Sequence, residues 1–239
     1  PEVAAGAVAR WSLDILVPAH RVVFALQDDE FVELRAPSTY GTFRSYRKLP
    51  GTVPAMIAWP NTVLLRGPDS IVVDPGYQTQ GDMLIGALQT HDLEPEDIPT
   101  VVMTHLHSDH VTALPQLGPV QLYVHEDEME NPHAGPYRGV RDLAEVHLLS
   151  GERGEIRPGL RWIHTPGHSP GHIAIAVDTD DGLAVIAGDT LGPNPEWFAR
   201  MELPEDFPQR EQHLEAFARI RELDPALVIP GHTPPVRLN

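Results

Sequence analysis

Apolar and polar positions along this chain alternate between a strand-like and a helix-like period. Val22 to Leu26 is an unbroken apolar run of strand length. Thr62 to Arg66 and Ser70 to Asp74 flank Gly67-Pro68-Asp69, which predicts a hairpin. Gly81 to His91 places Met83, Leu84, Ala87 and Leu88 on one helical face. Pro99 leads into a short buried strand over Thr100 to Met103. Asp109 to Leu117 reads as a helix that Gly118-Pro119 stops, and Gln121 to His125 as the next strand. The second half repeats the style. Gly159 to His164 and Ile173 to Val177 are predicted strands, and Asp180-Asp181-Gly182 turns the chain into a strand over Leu183 to Ala187. Arg210 to Leu223 is a helix with Leu214, Phe217, Ala218 and Ile220 apolar, and Leu227 to Ile229 is a last short strand. Ala36 to Trp59, Glu126 to Glu145 and Leu191 to Phe207 carry no clear period and read as long loops. Strands with helices between them, in two similar halves, predict sheet layers covered by helices in one domain over residues 1–239.

Composition removes several classes of chemistry. There is no cysteine, which excludes disulfides, Cys-ligated zinc, iron–sulfur clusters and a thiol nucleophile. No apolar run is long enough for a transmembrane helix. Arg10 and Asp14 interrupt the apolar residues of the first segment, so it does not read as a secretory signal, and a cytoplasmic location is expected. The formal net charge is −17, and Gly67 to Tyr137 holds twelve acids and no Lys or Arg. Binding to a nucleic acid needs cations that displace phosphate counterions, so this balance argues against one. The expected partner is a small-molecule substrate, with neither nucleic acid nor membrane, and most of the carboxylates read as a solvated surface.

The densest chemistry is Thr104-His105-Leu106-His107-Ser108-Asp109-His110, four potential metal ligands directly after a predicted buried strand. Side chains at i and i+2 of an extended segment share one side, so His105 and His107 can converge on one ion. A turn after them can carry Asp109 and His110 to a neighbouring ion. Imidazole and carboxylate donors suit zinc, and also iron, manganese or cobalt. His168, Asp189 and His232 each follow a glycine near the end of a predicted strand, where a sharp backbone turn can present a side chain. His20, His91, His133 and His213 read as surface residues.

These residues resemble the metallo-β-lactamase superfamily, with its His-x-His-x-Asp-His motif followed by a His, an Asp and a His. Val72-Val73-Asp74-Pro75-Gly76 is similar to an early strand-Asp-x-Gly motif of that family. The resemblance spans Thr62 to His232. It implies an αββα sandwich with a metal site at one edge of the sheets, and two divalent ions, with zinc the first choice. It implies that His105, His107 and His168 hold one ion, that Asp109, His110 and His232 hold the other, and that Asp189 bridges them. Asp74 and His172 would support the ligands from behind. It also implies hydrolysis by a hydroxide shared between the ions, with Asp109 passing a proton to the leaving group.

Within the family the sequence separates some branches. Lactamases that use a cysteine ligand are excluded. Those without one lack the bridging Asp that Asp189 would supply, and are exported. A tRNA 3′-processing nuclease would carry a basic surface. Glyoxalase II enzymes continue with a helical region after the last His, where only Thr233 to Asn239 follow here. Flavodiiron proteins alter the ligand motif and add a flavin domain. The remaining expectation is a metal-dependent hydrolase of a small ester or lactone, similar to the N-acyl-homoserine lactonases that quench quorum signals. Those lactonases share the Thr165-Pro166-Gly167-His168-Ser169-Pro170-Gly171-His172 pattern. Phe43, Trp59, Tyr137, Trp197, Phe198 and Met201 are the candidates for a substrate pocket. The best-known lactonases place a Tyr three residues after the bridging Asp, where this chain has Gly192, so either another group such as Tyr137 or Tyr40 replaces it or the substrate differs. A persulfide dioxygenase with one iron on His105, His168 and Asp189, a thioester hydrolase and a non-catalytic metal-binding protein are the alternatives.

Overall fold

The computed structural model describes residues 10–27, 30–33, 53–135, 142 and 144–238. The expected sandwich is present. One six-stranded sheet runs in the order β1 (Ser12–Val17), β5 (Thr62–Arg66), β6 (Ser70–Val73), β7 (Thr100–Val102), β8 (Val120–His125), β9 (Ala144–Leu149). The other runs β10 (Arg153–Arg157), β11 (Leu160–His164), β12 (Ile173–Thr179), β13 (Gly182–Gly188), β14 (Leu227–Pro230), β15 (Val236–Arg237). A separate three-stranded sheet pairs β2 (His20–Gln27) with β3 (Glu30–Glu33) and β4 (Val53–Trp59).

The central strands β5, β6, β7, β12 and β13 are largely buried on two faces, which is why they read as continuous apolar runs rather than alternating ones. In β5, Val63 and Leu65 enter the layer between the sheets, where they meet Ile173, Ile175 and Ile186. Leu64, between them, points the other way and packs with Leu84 and Leu88 of helix α1 (Gly81–Gln89). On the far side of the second sheet, Ala174, Ala176 and Val185 meet Phe198 of α3 (Pro195–Arg200) and Phe217 and Ile220 of α4 (Arg210–Arg221). Among the described residues no helix is long and apolar enough to cross a membrane.

Three expectations change. The segment Asp109 to Leu117 is not one helix: α2 covers Ser108–Val111 and a separate 3-10 turn covers Leu114–Leu117. Pro115 has no N–H to give the Val111 carbonyl, and the Ala113 N–H goes to Gly76 instead, 2.9 Å away. Val53–Trp59, at the end of an expected loop, is strand β4 because its backbone pairs with β2. Pro195–Arg200, inside another expected loop, is helix α3: the Asn194 side chain accepts the Glu196 N–H at 3.0 Å and Pro195 opens the first turn.

The strand ends decide where the chemistry sits. The loops after β6, β7, β11, β13 and β14 carry Asp74, His105 to His110, His168, Asp189 and His232 in turn. They are tied across the sheets by backbone bonds, Ile173 N–H to Thr104 at 2.9 Å and Asn61 N–H to Gly231 at 2.7 Å. Phe217 is fully buried and stands edge-on to Phe198, with ring centroids 5.4 Å apart. Phe217→Ala is expected to cost about 3–5 kcal/mol in urea unfolding. A loss below about 1 kcal/mol would mean that α4 is not held by this core.

Candidate metal centre

The strand ends bring all seven expected ligand side chains together. The donor atoms of His105, His107 and His168 lie within 4.8 Å of one another, and so do those of Asp109, His110 and His232. Nδ1 of His107 and Nε2 of His168 are 2.9 Å apart. Asp189 reaches both groups. Its Oδ2 is 3.3 Å from His168 Nε2 and 3.4 Å from His232 Nε2, and its Oδ1 is 3.4 Å from His110 Nε2.

Asp74 sets the orientation of the deepest of these. Its Oδ1 accepts the Thr104 N–H at 2.8 Å, and its Oδ2 accepts the Thr104 hydroxyl at 2.6 Å and His110 Nδ1–H at 2.8 Å. The Thr104 hydroxyl spends its proton on Asp74, so the 3.0 Å contact with His105 Nδ1 has the ring as donor. Both rings therefore carry a hydrogen on Nδ1 and turn Nε2 inward. Those two Nε2 atoms and Asp189 Oδ1 are buried, and apart from the 3.4 Å contact between His110 Nε2 and Asp189 Oδ1 they have no polar partner within hydrogen-bond geometry. Buried polar atoms normally have one, so the arrangement fits a cation on these donors. Asp74 holds this place at φ 50°, a left-handed conformation that Asp tolerates better than most residues.

His172 is not brought among the ligands. It is fully buried, and its Nε2 accepts the backbone N–H of Asp189 at 3.1 Å while its Nδ1 faces the hydroxyls of Thr165 and Thr190 at 2.9 and 3.1 Å. It fixes the Asp189 backbone. Gly188 makes room for that contact: its φ is +49°, and a Cβ there would come within 2.7 Å of Thr104 Oγ1 and 2.8 Å of His172 Nε2.

Charge divides the two groups of ligands. Burial, with the neighbouring imidazoles, holds His105 well below the usual imidazole range and takes His107 down to about 4. Burial also lowers His168. For His110 and His232 burial pulls the same way, but the adjacent carboxylates win: Asp189 and Asp74 raise His110, and Asp189 and Asp109 raise His232 to about 9. Asp189 is held well below the usual carboxylate range, because the His232, His168 and His110 charges outweigh its burial. Protons on His110 and His232 thus offset the carboxylates where a cation would.

A cavity of about 280 Å³ opens above these groups. Its floor is His107, Asp109, His168, Asp189 and His232, and its walls are Ala58, Gly192, Pro193, Phe207 and His213. The expected pocket residues are placed differently. Phe198 is fully buried in the core under α3 and α4, and cannot meet a substrate. Neighbours on a strand face opposite ways, so with Ala58 toward the cavity Trp59 points away from it and lies beside His20. Trp197 stands behind Phe207, with ring centroids 5.4 Å apart, and Met201 packs on the outer core. Phe43, Tyr137 and Tyr40 lie outside the described residues. His213, expected at the surface, is only 3% exposed and forms part of the wall. The helical spacing of Phe217 and Ile220 puts His213 on the inward face of α4, a signal that a reading of isolated histidines overlooks. A further cluster, His125, Asp127 and His164, has three of its four ring nitrogens already engaged: His125 Nε2 on the Gly151 carbonyl, its Nδ1 on the Asp127 N–H, and His164 Nε2 on the Pro170 carbonyl.

Comparison with known proteins agrees with this geometry. Residues 60–232 match the metallo-beta-lactamase superfamily. Human metallo-beta-lactamase domain-containing protein 1 is 32% identical over 220 residues, 90% of this chain and 76% of that protein. An N-acyl homoserine lactonase from a Bacillus species is 27% identical over 160 residues, 64% of this chain and 63% of that protein. The crystal structure of a putative metallo-beta-lactamase from Thermotoga maritima superposes with a TM-score of 0.69 at 22% identity, covering 96% of this chain and all of that one. The chain belongs to the metallo-beta-lactamase superfamily. It has the fold of that family, which implies binding of divalent metal, and His and Asp clusters that could hold it.

Loading a cation onto the Asp109, His110 and His232 group has to displace protons, since His232 holds its own up to about pH 9. The His105 and His107 rings are uncharged near neutrality, each with one ring nitrogen bare of hydrogen. Titration calorimetry at pH 7 in buffers of different ionisation enthalpy is expected to show proton release on zinc binding, shrinking as the pH is raised past about 9. Uptake, or no proton change at pH 7, would contradict the charge assignment.

Proposed function

We propose that this protein is a hydrolase with two divalent cations, zinc in the first instance, that opens a small ester or lactone, with N-acyl homoserine lactones as the leading substrate. The observation that carries the proposal is the junction of the two triads at Asp189, within 3.4 Å of His110, His168 and His232. In this reading His105, His107 and His168 hold one cation, Asp109, His110 and His232 the other, and Asp189 both. Cations so held lower the pKa of water and polarise a carbonyl oxygen.

The chain's own residues supply the rest. Ala58, Pro193 and Phe207 give the cavity an apolar wall that suits an acyl group over a charged one. Asp109 lies at the cavity floor with Oδ2 3.2 Å from His232 Nε2. Burial raises its carboxyl, but the His232 hydrogen bond and the His110 charge more than offset this, so Asp109 enters the reaction as an acceptor. As the water oxygen joins the carbonyl carbon, Asp109 takes the proton released. When the carbon–oxygen bond breaks, the same proton passes to the departing alcohol oxygen, and the free acid results. Where lactonases place a tyrosine, this chain has Gly192 at φ +65°, and a Cβ there would already touch Trp197 at 3.4 Å and Phe207 at 3.6 Å. His213 is the polar side chain on that wall, with Nδ1–H held by the Gln209 carbonyl at 3.2 Å. The similarity to the Bacillus lactonase supports the lactone as substrate.

A panel of lactones, thioesters, phosphodiesters and β-lactams, run on protein of measured metal content, tests the proposal. Lactone turnover is expected to lead. His107→Ala is expected to lower kcat/KM by about 100-fold or more and to reduce bound metal. Turnover confined to phosphodiesters, or a His107→Ala protein with the parent rate, would refute it.

A further inference from the structure

Glu128 belongs to an acidic run, Glu126-Asp127-Glu128-Met129-Glu130, at the end of β8. Glu126, Asp127 and Glu130 are exposed. Glu128 is fully buried and accepts four hydrogen bonds. Its Oε2 takes the Leu106 N–H at 2.9 Å and the Asn131 side-chain N–H at 2.8 Å. Its Oε1 takes the Ser169 hydroxyl at 2.5 Å and the Gly171 N–H at 2.9 Å. A buried carboxylate is costly unless its lone pairs are matched in this way.

The donors show what the residue is for. Leu106 lies between His105 and His107. Ser169 follows His168, and Gly171 precedes His172, whose ring holds the Asp189 backbone. One side chain therefore grips both of the loops that carry the His105, His107 and His168 nitrogens, and reaches the Asp189 segment through His172. Gly171 is needed for this grip, because any Cβ there would run into the backbone between Asp127 and Glu128.

We infer that Glu128 is a positioning residue for the metal centre, setting the separation of the His168 loop from the His105–His107 loop and with it the affinity of the first triad. This rests on the reading that His105, His107 and His168 hold a cation. Substitution by glutamine keeps the volume but turns an N–H₂ toward one of the two donor pairs, so one loop is released while the other stays held.

The test is Glu128→Gln, with competition between protein and a chromophoric chelator for Zn²⁺ and with the visible spectrum of the Co²⁺-loaded protein. We expect a fall in Zn²⁺ affinity of about 10–100-fold and an altered Co²⁺ spectrum, in protein whose far-ultraviolet circular dichroism matches the parent. Folded Glu128→Gln protein with the parent affinity and spectrum would overturn the inference, leaving Glu128 a purely structural residue. If that variant does not fold, Ser169→Ala removes one donor and leaves the carboxylate in place. A smaller fall in Zn²⁺ affinity is then expected, and the parent value would overturn the inference. A parent protein that binds neither ion would overturn the metal reading itself, and this inference with it.

Discussion

The arrangement turns on one constraint: buried imidazole nitrogens and carboxylates crowd together at the edge of a sandwich, and only positive charge between them relieves the crowding. Asp74 enforces it. By accepting from Thr104 and from His110, and through the Thr104 hydroxyl from His105, it fixes which ring nitrogen of each histidine carries hydrogen. The other nitrogens are then committed to the interior. The protein resolves the resulting charge by protonating His110 and His232, and a divalent cation would resolve it more completely.

The fold serves this constraint. Two packed sheets bring the ends of β6, β7, β11, β13 and β14 to one edge, and short backbone bonds between Thr104 and Ile173 and between Asn61 and Gly231 join the sheets there. His172 and Glu128 form a further layer of support, one holding the Asp189 backbone and the other gripping the two ligand loops. None of these supporting groups touches the cavity. Their effect is to make the seven side chains converge before any ion arrives, which lowers the ordering cost of binding one.

Much of this was legible in the sequence, for specific reasons. The buried strands Thr62–Arg66, Thr100–Val102 and Ile173–Thr179 announced themselves by unbroken apolar runs, and the ligands by their density and by the glycines before His168, Asp189 and His232. Other features escaped because their signals are not local. β4 depends on pairing with β2. Phe198 and Trp59 are aromatic residues in expected loops, and only the packing of α3 and the facing of β4 send them away from the cavity. Glu128 sits among exposed acids of the same charge, so nothing in the run marks it as buried. Helix α3 reads as loop in the sequence because the apolar residues of its segment have no regular period, and the cap at its Asn194-Pro195 start shows only in the structure.

The most direct measurement is the number of divalent ions bound per chain, counted by elemental analysis of protein loaded with zinc and freed of excess. Two per chain is the predicted result, and one should be lost selectively on replacing His232. A protein that holds a single ion, or none, with these seven side chains intact would contradict the paired-triad centre.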